Sequence, residues 1–174
     1  MNTKYKKKLT QIKAFVLDVD GVLTNGGLIL YPDGKFLRQM NAKDGYAIKL
    51  AIHHGYKIAI ITGGREENIK TRLKNLGVHE VFLGVNNKLP ILKDFITTYE
   101  LKSEEIAYMG DDIPDLESLE HVGVSCCPND ASYDVKKICD YISQKKGGEG
   151  CVRDIIEQTL KVNNQWDLNG EIKY

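Results

Sequence analysis

Short apolar runs alternate with helical segments along the chain, and this alternation limits the fold more than any other feature of the sequence. A run of about four to eight apolar residues between turn signals indicates a buried strand, whereas apolar residues spaced three or four apart indicate a helix. Strands are predicted at 13–19, 57–61, 81–83, 106–109, 122–125 and 140–142. Helices are predicted at 44–54, 66–76, 88–99, 114–121 and 151–161. The pattern predicts an α/β fold of three layers, a doubly wound parallel sheet with helices on both faces.

The segment 27–40, GLILYPDGKFLRQM, departs from this alternation. Two extended runs flank the turn-forming tripeptide Pro-Asp-Gly at 32–34, which predicts a β-hairpin that projects from the domain. Residues 28–31 are all apolar, and an exposed apolar strand is an aggregation hazard unless a partner covers it. We therefore expect a subunit interface at the hairpin. The alternative is that the hairpin folds back onto its own domain.

Length and charge narrow the class of protein. The 174 residues correspond to one domain, 1–174, with a mostly polar C-terminal tail at 162–174 that contains Trp166. The 24 basic and 24 acidic residues cancel, which argues against a nucleic-acid or anionic membrane surface because both need a basic excess. No apolar run approaches the roughly 20 residues of a membrane span. The N-terminus lacks the apolar stretch of a secretory signal, so we expect a cytoplasmic protein.

The cysteines do not form a metal-binding or redox pattern. They lie at 126, 127, 139 and 151, and an adjacent pair fits no common zinc or redox spacing. We therefore expect reduced thiols that are mostly buried.

Polar side chains follow the predicted strands at the points where the strands end. Asp18 and Asp20 follow the first strand, Thr62 the second and Asp111 the fourth, while Lys88 opens a helix. Because the carboxyl ends of parallel strands meet at one edge of the sheet, we expect these groups to lie together. Crowded carboxylates repel one another, and a divalent cation relieves the repulsion. Oxygen ligands without His or Cys suit Mg²⁺, so the pattern predicts a magnesium site.

The same residues supply what phosphoryl transfer needs, namely positioning and charge neutralisation. Asp18 is predicted to be the nucleophile that forms an aspartyl-phosphate. Asp20 is predicted to be the general acid and base, which protonates the departing alkoxide and later deprotonates the attacking water. The Thr62 hydroxyl and the Lys88 ammonium are predicted to hold phosphoryl oxygens.

Four motifs make the chain resemble the haloacid dehalogenase superfamily of phosphatases. DVDGVLT at 18–24 is similar to its first motif, Thr62 to the second, Lys88 to the third and GDDIPD at 110–115 to the fourth. The resemblance implies a haloacid dehalogenase-like, Rossmannoid fold. It also implies an enzyme that hydrolyses phosphate esters with Mg²⁺ as its cofactor.

The resemblance assigns the metal ligands residue by residue. It implies that Mg²⁺ is bound by Asp18, by the backbone carbonyl of Asp20 and by Asp111. Asp112 and Asp115 would support the waters of the metal or the loop that carries them.

Two other interpretations of these residues are open. One is an ordinary α/β domain in which the Asp residues fall at strand ends by chance. The other is a receiver domain, a signalling module that also uses Asp, Thr and Lys around Mg²⁺ to accept a phosphoryl group. A receiver domain carries its acidic pair after the first strand and its phosphorylated Asp after a later one. Here Asp20 would supply the acid–base group that a signalling module lacks, which favours an enzyme.

No cap domain is predicted, because only the hairpin and one helix separate Asp18 from Thr62, and one helix and one strand separate Lys88 from Asp111. An open site needs something to exclude water and to recognise the leaving group. A partner subunit bound through the hairpin would do both.

This feature narrows the resemblance to a capless branch that hydrolyses 3-deoxy-D-manno-octulosonate 8-phosphate, a sugar-acid phosphate used to make the inner sugar of lipopolysaccharide. The supporting segments are NAKDGYAIK at 41–49, GVNNK at 84–88 and KKGGEGCVRDI at 145–155. The resemblance implies a homotetramer that is built through the hairpin and shares its sites between subunits. It also implies that a neighbour contributes its C-terminal tail to the pocket.

Residues for the sugar acid follow from the same resemblance. Arg72 of a neighbouring subunit would bind the carboxylate, for which a guanidinium suits by charge and geometry. Without the resemblance, Arg72 would be interpreted as a solvated charge on the surface of a helix. Asn25, Gly63 and Gly64 would contact the substrate, although Asn25 suits the cap of a turn equally well.

A related branch acts on 2-keto-3-deoxy-nononate 9-phosphate, a nine-carbon sugar acid, and this is the alternative substrate. That branch carries Glu at the position of Gly64 and Lys near Asn75, and neither is present here. The difference favours the eight-carbon substrate. Gly64 and Lys43 also depart from the arginine that many octulosonate enzymes carry at these positions.

Overall fold

The structure is a computed structural model that describes residues 4–166. The strands are β1 (Ala14–Leu17), β2 (Ile29–Leu30), β3 (Phe36–Leu37), β4 (Lys57–Ile61), β5 (Glu80–Phe82), β6 (Ile106–Met109), β7 (Val124–Cys127) and β8 (Tyr141–Ile142). The α-helices are α1 (Lys4–Lys8), α2 (Ala42–His53), α3 (Glu67–Lys74), α4 (Lys88–Thr98), α5 (Leu116–Glu120), α6 (Tyr133–Ile138) and α7 (Cys151–Val162). Six strands form one parallel sheet in the order β5-β4-β1-β6-β7-β8.

Helices cover both faces of this sheet, as predicted. In β1, Phe15 and Leu17 pack against one face cluster that includes residues of α1, α2, α3 and α7. Ala14 and Val16 pack into the opposite cluster, which includes residues of α4, α5 and α6. Because successive side chains of a strand point to opposite faces, a strand covered on both sides reads as a continuous apolar run.

The strand order reverses beside β1. The chain winds from β1 through β4 to β5 on one side and through β6, β7 and β8 on the other. Leu17 at the end of β1 is paired with Met109 at the end of β6. The residues that follow these two strands therefore emerge side by side at the switch point, where doubly wound sheets bind their ligands.

Asparagine caps set the starts of the two helices nearest the site. Asn41 Oδ1 accepts a hydrogen bond from the N–H of Lys43 at 2.9 Å, so α2 begins at Ala42, earlier than predicted. Asn87 Oδ1 accepts from the N–H of Leu89 at 3.3 Å, which confirms the predicted cap of α4.

The predicted hairpin is present as the antiparallel pair β2 and β3. Its turn contains Gly34, whose φ of +82° suits glycine. Ile29 and Leu30 are 62% and 75% exposed. The hairpin therefore does not fold back to bury its apolar side chains on its own chain. Within residues 4–166, no cap domain accompanies it.

Two short helices and the position of one strand differ from the predictions. Neither α1 nor α6 was predicted from the sequence. Val135 is the one buried residue of α6, and a single buried residue displays no helical period. Pairing of β7 with β6 starts at Val124 and not at 122, because the N–H of Gly123 donates to the carbonyl of Ser103 at 2.8 Å.

The cysteines are as predicted. Cys126 and Cys127 form the buried end of β7, Cys151 is also buried, and Cys139 is partly exposed. All four thiols are free.

The predicted tail overlaps the end of α7, which runs to Val162. Trp166 packs edge-on against Tyr46, with 6.5 Å between ring centroids, and the guanidinium carbon of Arg153 lies 5.2 Å from the Trp166 ring. The remainder of the predicted tail, 167–174, lies outside the described residues. None of the helices between residues 4 and 166 has the length and apolar character needed to cross a membrane.

Candidate active site

A cleft of about 780 Å³ opens at the carboxyl edge of the sheet. Its walls come from the loops after β1, β4, β5 and β6, from the residues after β3 and from the start of α4. The predicted site residues that line the cleft are Asp18, Asp20, Thr62, Gly63, Gly64, Lys88, Asp111, Asp112 and Asp115. The structure thus brings together all the predicted site residues except Asn25 and Arg72.

The loop after β1 turns sharply next to Asp111. The N–H of Asp18 donates to the carbonyl of Met109 at 3.0 Å, which carries the pairing of β1 and β6 into the site. Gly21 has a φ of +77°, and a Cβ built there would lie 2.0 Å from Asp111 Oδ2. A side chain at this position would displace Asp111, so the carboxylates can approach one another only because residue 21 is glycine.

Three carboxylates at this point form a candidate metal centre. Oxygens of Asp18, Asp111 and Asp115 lie within 4.8 Å of one another. Asp18 Oδ1 is buried and has no hydrogen-bond partner among the described residues. Burial, followed by the nearby carboxylate of Asp115, raises the pKa of Asp18 to about 6, and burial, followed by Asp18, raises the pKa of Asp111 to about 7. A buried oxygen without a donor beside other carboxylates fits a hard divalent cation, whose charge would favour the ionised forms.

Asp115 differs from the other two carboxylates because the protein already occupies its oxygens. Lys88 Nζ and the Tyr108 hydroxyl donate to Oδ1 at 2.7 and 2.8 Å. The N–H groups of Asp111 and Asp112 donate to Oδ2 at 3.2 and 3.5 Å. This pattern suits a residue that fixes Lys88 and the loop after β6.

Lys88 places a buried positive charge against the predicted nucleophile. Its ammonium lies 3.0 Å from Asp18 Oδ2 and 2.7 Å from Asp115 Oδ1, and its side chain is 5% exposed. Burial acts to lower the pKa of Lys88, but the carboxylates of Asp18 and Asp115 outweigh it and raise the pKa. Lys88 is therefore a fixed cation on the floor of the cleft.

Thr62 follows β4 and is buried at the edge of the cleft. Its Oγ1 accepts a hydrogen bond from the N–H of Gly64 at 3.1 Å. Since the oxygen is the acceptor in this bond, the hydroxyl keeps its own proton for a phosphoryl oxygen.

Asp20 is bound by an arginine that the sequence analysis missed. Arg38 donates from Nε to Asp20 Oδ1 at 2.6 Å and from Nη2 to Asp20 Oδ2 at 2.9 Å. Its Nη1 donates to Glu66 Oε2 at 2.8 Å. The hydrogen bond to Asp20 raises the pKa of Arg38. Arg38 and Asp20 meet only because the hairpin returns the chain to the cleft, so no local motif could have indicated the pair.

Comparisons with known proteins agree with this geometry. The family model described as haloacid dehalogenase-like hydrolase matches residues 84–155. The chain is 32% identical to the 3-deoxy-D-manno-octulosonate 8-phosphate phosphatase of Salmonella typhi, over 96% of this chain and 89% of that protein. It is 33% identical to the protein of the same name from Escherichia coli strain K12, over 92% of this chain and 85% of that protein. The chain belongs to the haloacid dehalogenase-like hydrolase family.

Solved structures confirm the predicted haloacid dehalogenase-like fold. A crystal structure of 3-deoxy-D-manno-octulosonate 8-phosphate phosphatase from Moraxella catarrhalis, in complex with magnesium, phosphate and KDO, matches with a TM-score of 0.91 at 31% identity. The match covers 95% of each chain. The phosphatase of the same name from Yersinia pestis matches with a TM-score of 0.90 at 29% identity, over 95% of this chain and 93% of that one.

Two predicted substrate residues of this haloacid dehalogenase-like chain do not line the main cleft. Asn25 is exposed, and its Oδ1 accepts from the N–H of Gly27 at 3.0 Å, so it caps a turn. Arg72 lies on α3 and lines a smaller cavity of about 240 Å³. This cavity shares Phe36 and Arg38 with the cleft.

The glycine-rich loop before α7 braces the loop of the first motif. The N–H of Gly148 donates to the carbonyl of Val22 at 2.9 Å. A Cβ built at Gly147 would lie 1.9 Å from the carbonyl oxygen of Gly21. The paired glycines at 147–148 were the available sequence signal, because adjacent glycines outside a strand or helix mark a turn or a close backbone approach.

Proposed function

We propose that this chain is a Mg²⁺-dependent phosphatase that hydrolyses 3-deoxy-D-manno-octulosonate 8-phosphate to the free sugar acid and inorganic phosphate. The observation that carries the proposal is the cluster of Asp18, Lys88 and Asp111 at the switch point of the sheet, in which Asp18 and Lys88 are buried and Asp111 is partly buried. The similarity to phosphatases of that name, over nearly the whole chain, supports the choice of substrate.

Mg²⁺ would be held by Asp18, by the backbone carbonyl of Asp20 and by Asp111. The buried Oδ1 of Asp18, which has no donor among the described residues, supports this ligand set. The bound ion neutralises clustered carboxylates and polarises phosphoryl oxygens. Asp112 and Asp115 would fix the loop that carries Asp111.

Asp18 and Asp20 divide the chemistry between them. An Asp18 oxygen attacks phosphorus, the bond from phosphorus to the sugar oxygen breaks, and the departing oxygen takes a proton from Asp20. Water then attacks phosphorus of the aspartyl-phosphate and gives a proton to Asp20, while the bond from phosphorus to the Asp18 oxygen breaks. Inorganic phosphate leaves and the Asp18 carboxylate is restored.

Lys88 and Thr62 would hold the phosphoryl oxygens during both steps. Lys88 is a buried, fixed cation, so it can offset the charge that develops on these oxygens without reorganisation. Thr62, in the loop after β4, would donate a hydrogen bond from its hydroxyl to a phosphoryl oxygen. Gly63 and Gly64 would let the phosphoryl group approach the backbone. The space beside Gly63 is open, since a Cβ built there would have only the Val85 carbonyl oxygen within 4 Å, at 3.8 Å.

The sugar acid would extend from the phosphoryl site towards the hairpin, where Arg72 would bind its carboxylate and Asn25 would contact it from the rim. This arrangement includes a neighbouring subunit. The exposed apolar side chains of the hairpin support an interface there, and we propose a homotetramer with shared sites. We also propose that residues 1–174 form a single domain and that the enzyme acts in the cytoplasm, contacting neither nucleic acid nor membrane.

A phosphate-release assay tests the proposed function. The purified chain is given 3-deoxy-D-manno-octulosonate 8-phosphate, 2-keto-3-deoxy-nononate 9-phosphate or p-nitrophenyl phosphate, each with Mg²⁺ or with EDTA. We expect repeated turnover that requires Mg²⁺ and is fastest with the eight-carbon acid. Asp18→Asn should abolish it, whereas the matched control Asp33→Asn, in the exposed hairpin turn, should not.

Three outcomes would contradict the proposal. Faster turnover of the nine-carbon acid phosphate would show that it, and not the eight-carbon acid phosphate, is the preferred substrate. Stable uptake of one phosphoryl group from a donor, without turnover, would indicate a receiver-like module. Full activity of Asp18→Asn would show that Asp18 is not the nucleophile.

A further inference from the structure

Arg38 occupies the junction between the two cavities of the site. It lines both the cleft and the smaller cavity that contains Arg72. Its side chain is 8% exposed, and its guanidinium carbon lies 4.8 Å from the centre of the Phe36 ring. A buried guanidinium at this point can reach a group in either cavity.

Arg38 donates hydrogen bonds to both oxygens of Asp20, the proposed acid–base residue. Asp20 Oδ1 accepts from Nε and Asp20 Oδ2 accepts from Nη2, and the Thr24 hydroxyl lies 3.4 Å from Oδ1. Proton transfer needs an Asp20 oxygen within hydrogen-bond reach of the leaving oxygen. While the bidentate pair is closed, both Asp20 oxygens face the guanidinium, so opening the pair would free an oxygen for this contact.

Charge and space at Arg38 favour exchange of its partners. One guanidinium faces two carboxylates, those of Asp20 and Glu66, so an incoming anion has to replace a carboxylate. A Cβ built at Gly64 would lie 3.3 Å from Arg38 Nη2 and 3.2 Å from Glu66 Oε2. A side chain at residue 64 would crowd Arg38 and Glu66, whereas glycine leaves the guanidinium room to exchange partners.

We propose that Arg38 is a specificity-determining residue whose guanidinium leaves Asp20 to bind the carboxylate of the substrate's leaving group, which frees Asp20 for proton transfer. This inference rests on the proposed function, in which Arg72 of a neighbouring subunit contacts the same carboxylate through its other oxygen. Phosphate esters that lack a second anion leave the Arg38–Asp20 pair closed and react slowly.

The carboxylate of the leaving group fits this role better than the phosphoryl group. Lys88 and Thr62, which would hold the phosphoryl oxygens, line the cleft only, whereas Arg38 lines both cavities. A sugar acid that enters with its phosphoryl group at Asp18 carries its carboxylate away from Lys88. A guanidinium fork matches a carboxylate bidentately, as it matches Asp20 now.

The test compares two esters of primary alcohols, 3-deoxy-D-manno-octulosonate 8-phosphate and glucose 6-phosphate, which lacks a carboxylate. Values of kcat and KM are measured with Mg²⁺ for the wild-type chain, Arg38→Gln and Arg38→Lys. Lys93→Gln, on the exposed side of α4 and outside the hairpin, is the matched control.

We expect the wild-type chain to prefer the sugar acid. In Arg38→Gln the ratio of the two kcat/KM values falls about ten- to hundredfold, the change produced by loss of one charge-assisted pair. The fall comes from the sugar acid alone, and kcat/KM for glucose 6-phosphate stays the same or rises because Asp20 is released. Arg38→Lys retains part of the ratio, and Lys93→Gln retains all of it.

An equal loss with both esters would overturn the inference, since it would show that Arg38 only maintains the structure. A wild-type chain that hydrolyses both esters equally well would also overturn it while leaving the phosphatase intact. Hydrolysis of neither ester would instead overturn the proposed function and the inference with it.

Glu66→Gln gives a second test that does not depend on the folding of the Arg38 variants. It removes one of the two carboxylates at the guanidinium and keeps the pair with Asp20. We expect KM for the sugar acid to fall and KM for glucose 6-phosphate to stay unchanged. Equal changes in both KM values would contradict carboxylate binding at Arg38.

Discussion

Replacing Lys88 with Met tests how the site balances its buried charges. Lys88 is the cation that contacts both Asp18 and Asp115, at 3.0 and 2.7 Å. Met has a similar length and packs in apolar surroundings, so the substitution removes the charge with little change in volume. The variant therefore leaves the carboxylates together without their protein cation.

The size of the effect follows from the distances. The carboxylate oxygens lie within 4.8 Å of one another, and at that limit two unit charges repel by about 3.5 kcal/mol at an effective dielectric constant of about 20. Removing one partner of a buried pair typically costs about 3–5 kcal/mol. We expect the free energy of unfolding to fall by about 3–5 kcal/mol at pH 8 without Mg²⁺.

The loss should shrink in acid. Asp18 and Asp111 have folded-state pKa values raised to about 6 and about 7, above the values of an unfolded chain. A group of this kind favours folding below its unfolded pKa, and the contribution is lost as the pH rises through the folded pKa. At pH 5 both groups are largely protonated, so less repulsion remains for Lys88 to offset.

The assay is urea unfolding at pH 5 and pH 8, each with EDTA and with Mg²⁺. Lys93→Met, on the exposed side of the same helix, is the matched control and should change stability little at either pH. Mg²⁺ should recover part of the loss at pH 8. A loss for Lys88→Met that is equal at pH 5 and pH 8, and insensitive to Mg²⁺, would refute the electrostatic argument and indicate a packing defect.

Four further predictions concern the metal, the substrate and the supporting loops. Mg²⁺ at about 100 times its Kd should stabilise the wild-type chain by about 2.7 kcal/mol, and Asp111→Asn should remove most of this gain in urea titrations. Arg72→Ala should raise KM for the sugar-acid phosphate more than for p-nitrophenyl phosphate. Gly147→Ala should lower both Tm and kcat, because its Cβ would lie 1.9 Å from the Gly21 carbonyl oxygen. Deletion of 163–174 should change kcat or KM if a neighbour's tail enters the pocket.

Each of these has an outcome that would contradict it. Equal stabilisation of wild type and Asp111→Asn by Mg²⁺ would place the ion elsewhere. Equal changes in KM for both substrates of Arg72→Ala would argue against a carboxylate contact. Unchanged melting of Gly147→Ala would show that the loop gives way without cost, and unchanged kinetics of the shortened chain would exclude a catalytic tail.

Strands were the part of the fold that could be predicted best. β4 and β6 have the predicted bounds, because strands covered on both faces appear as apolar runs ended by turn residues. The meeting of Asp18 and Asp111 was also predictable, since both follow strands that end at the same edge. The short helix α6 was not, because a helix with a single buried side chain carries no periodic signal.

The pair of Arg38 and Asp20 marks the limit of reasoning from strand ends. The end of a strand predicts the position only of a residue that directly follows a strand of the main sheet. Arg38 instead follows β3 in the hairpin, and its place in the cleft depends on the direction in which the hairpin leaves and returns. A pattern of apolar residues predicts that a hairpin exists but not where its base packs.

The excess negative charge of the site explains why this fold is suited to bind a divalent cation. With all groups ionised, Asp18, Asp111 and Asp115 carry three negative charges against the single positive charge of Lys88, which leaves a net charge of −2. Burial raises the pKa values of Asp18 and Asp111, and the neighbouring carboxylates raise them further. A divalent cation supplies the missing charge and returns both carboxylates to the ionised form that nucleophilic attack needs. The substrate-free fold therefore accepts a local loss of stability at the residues where the chemistry takes place.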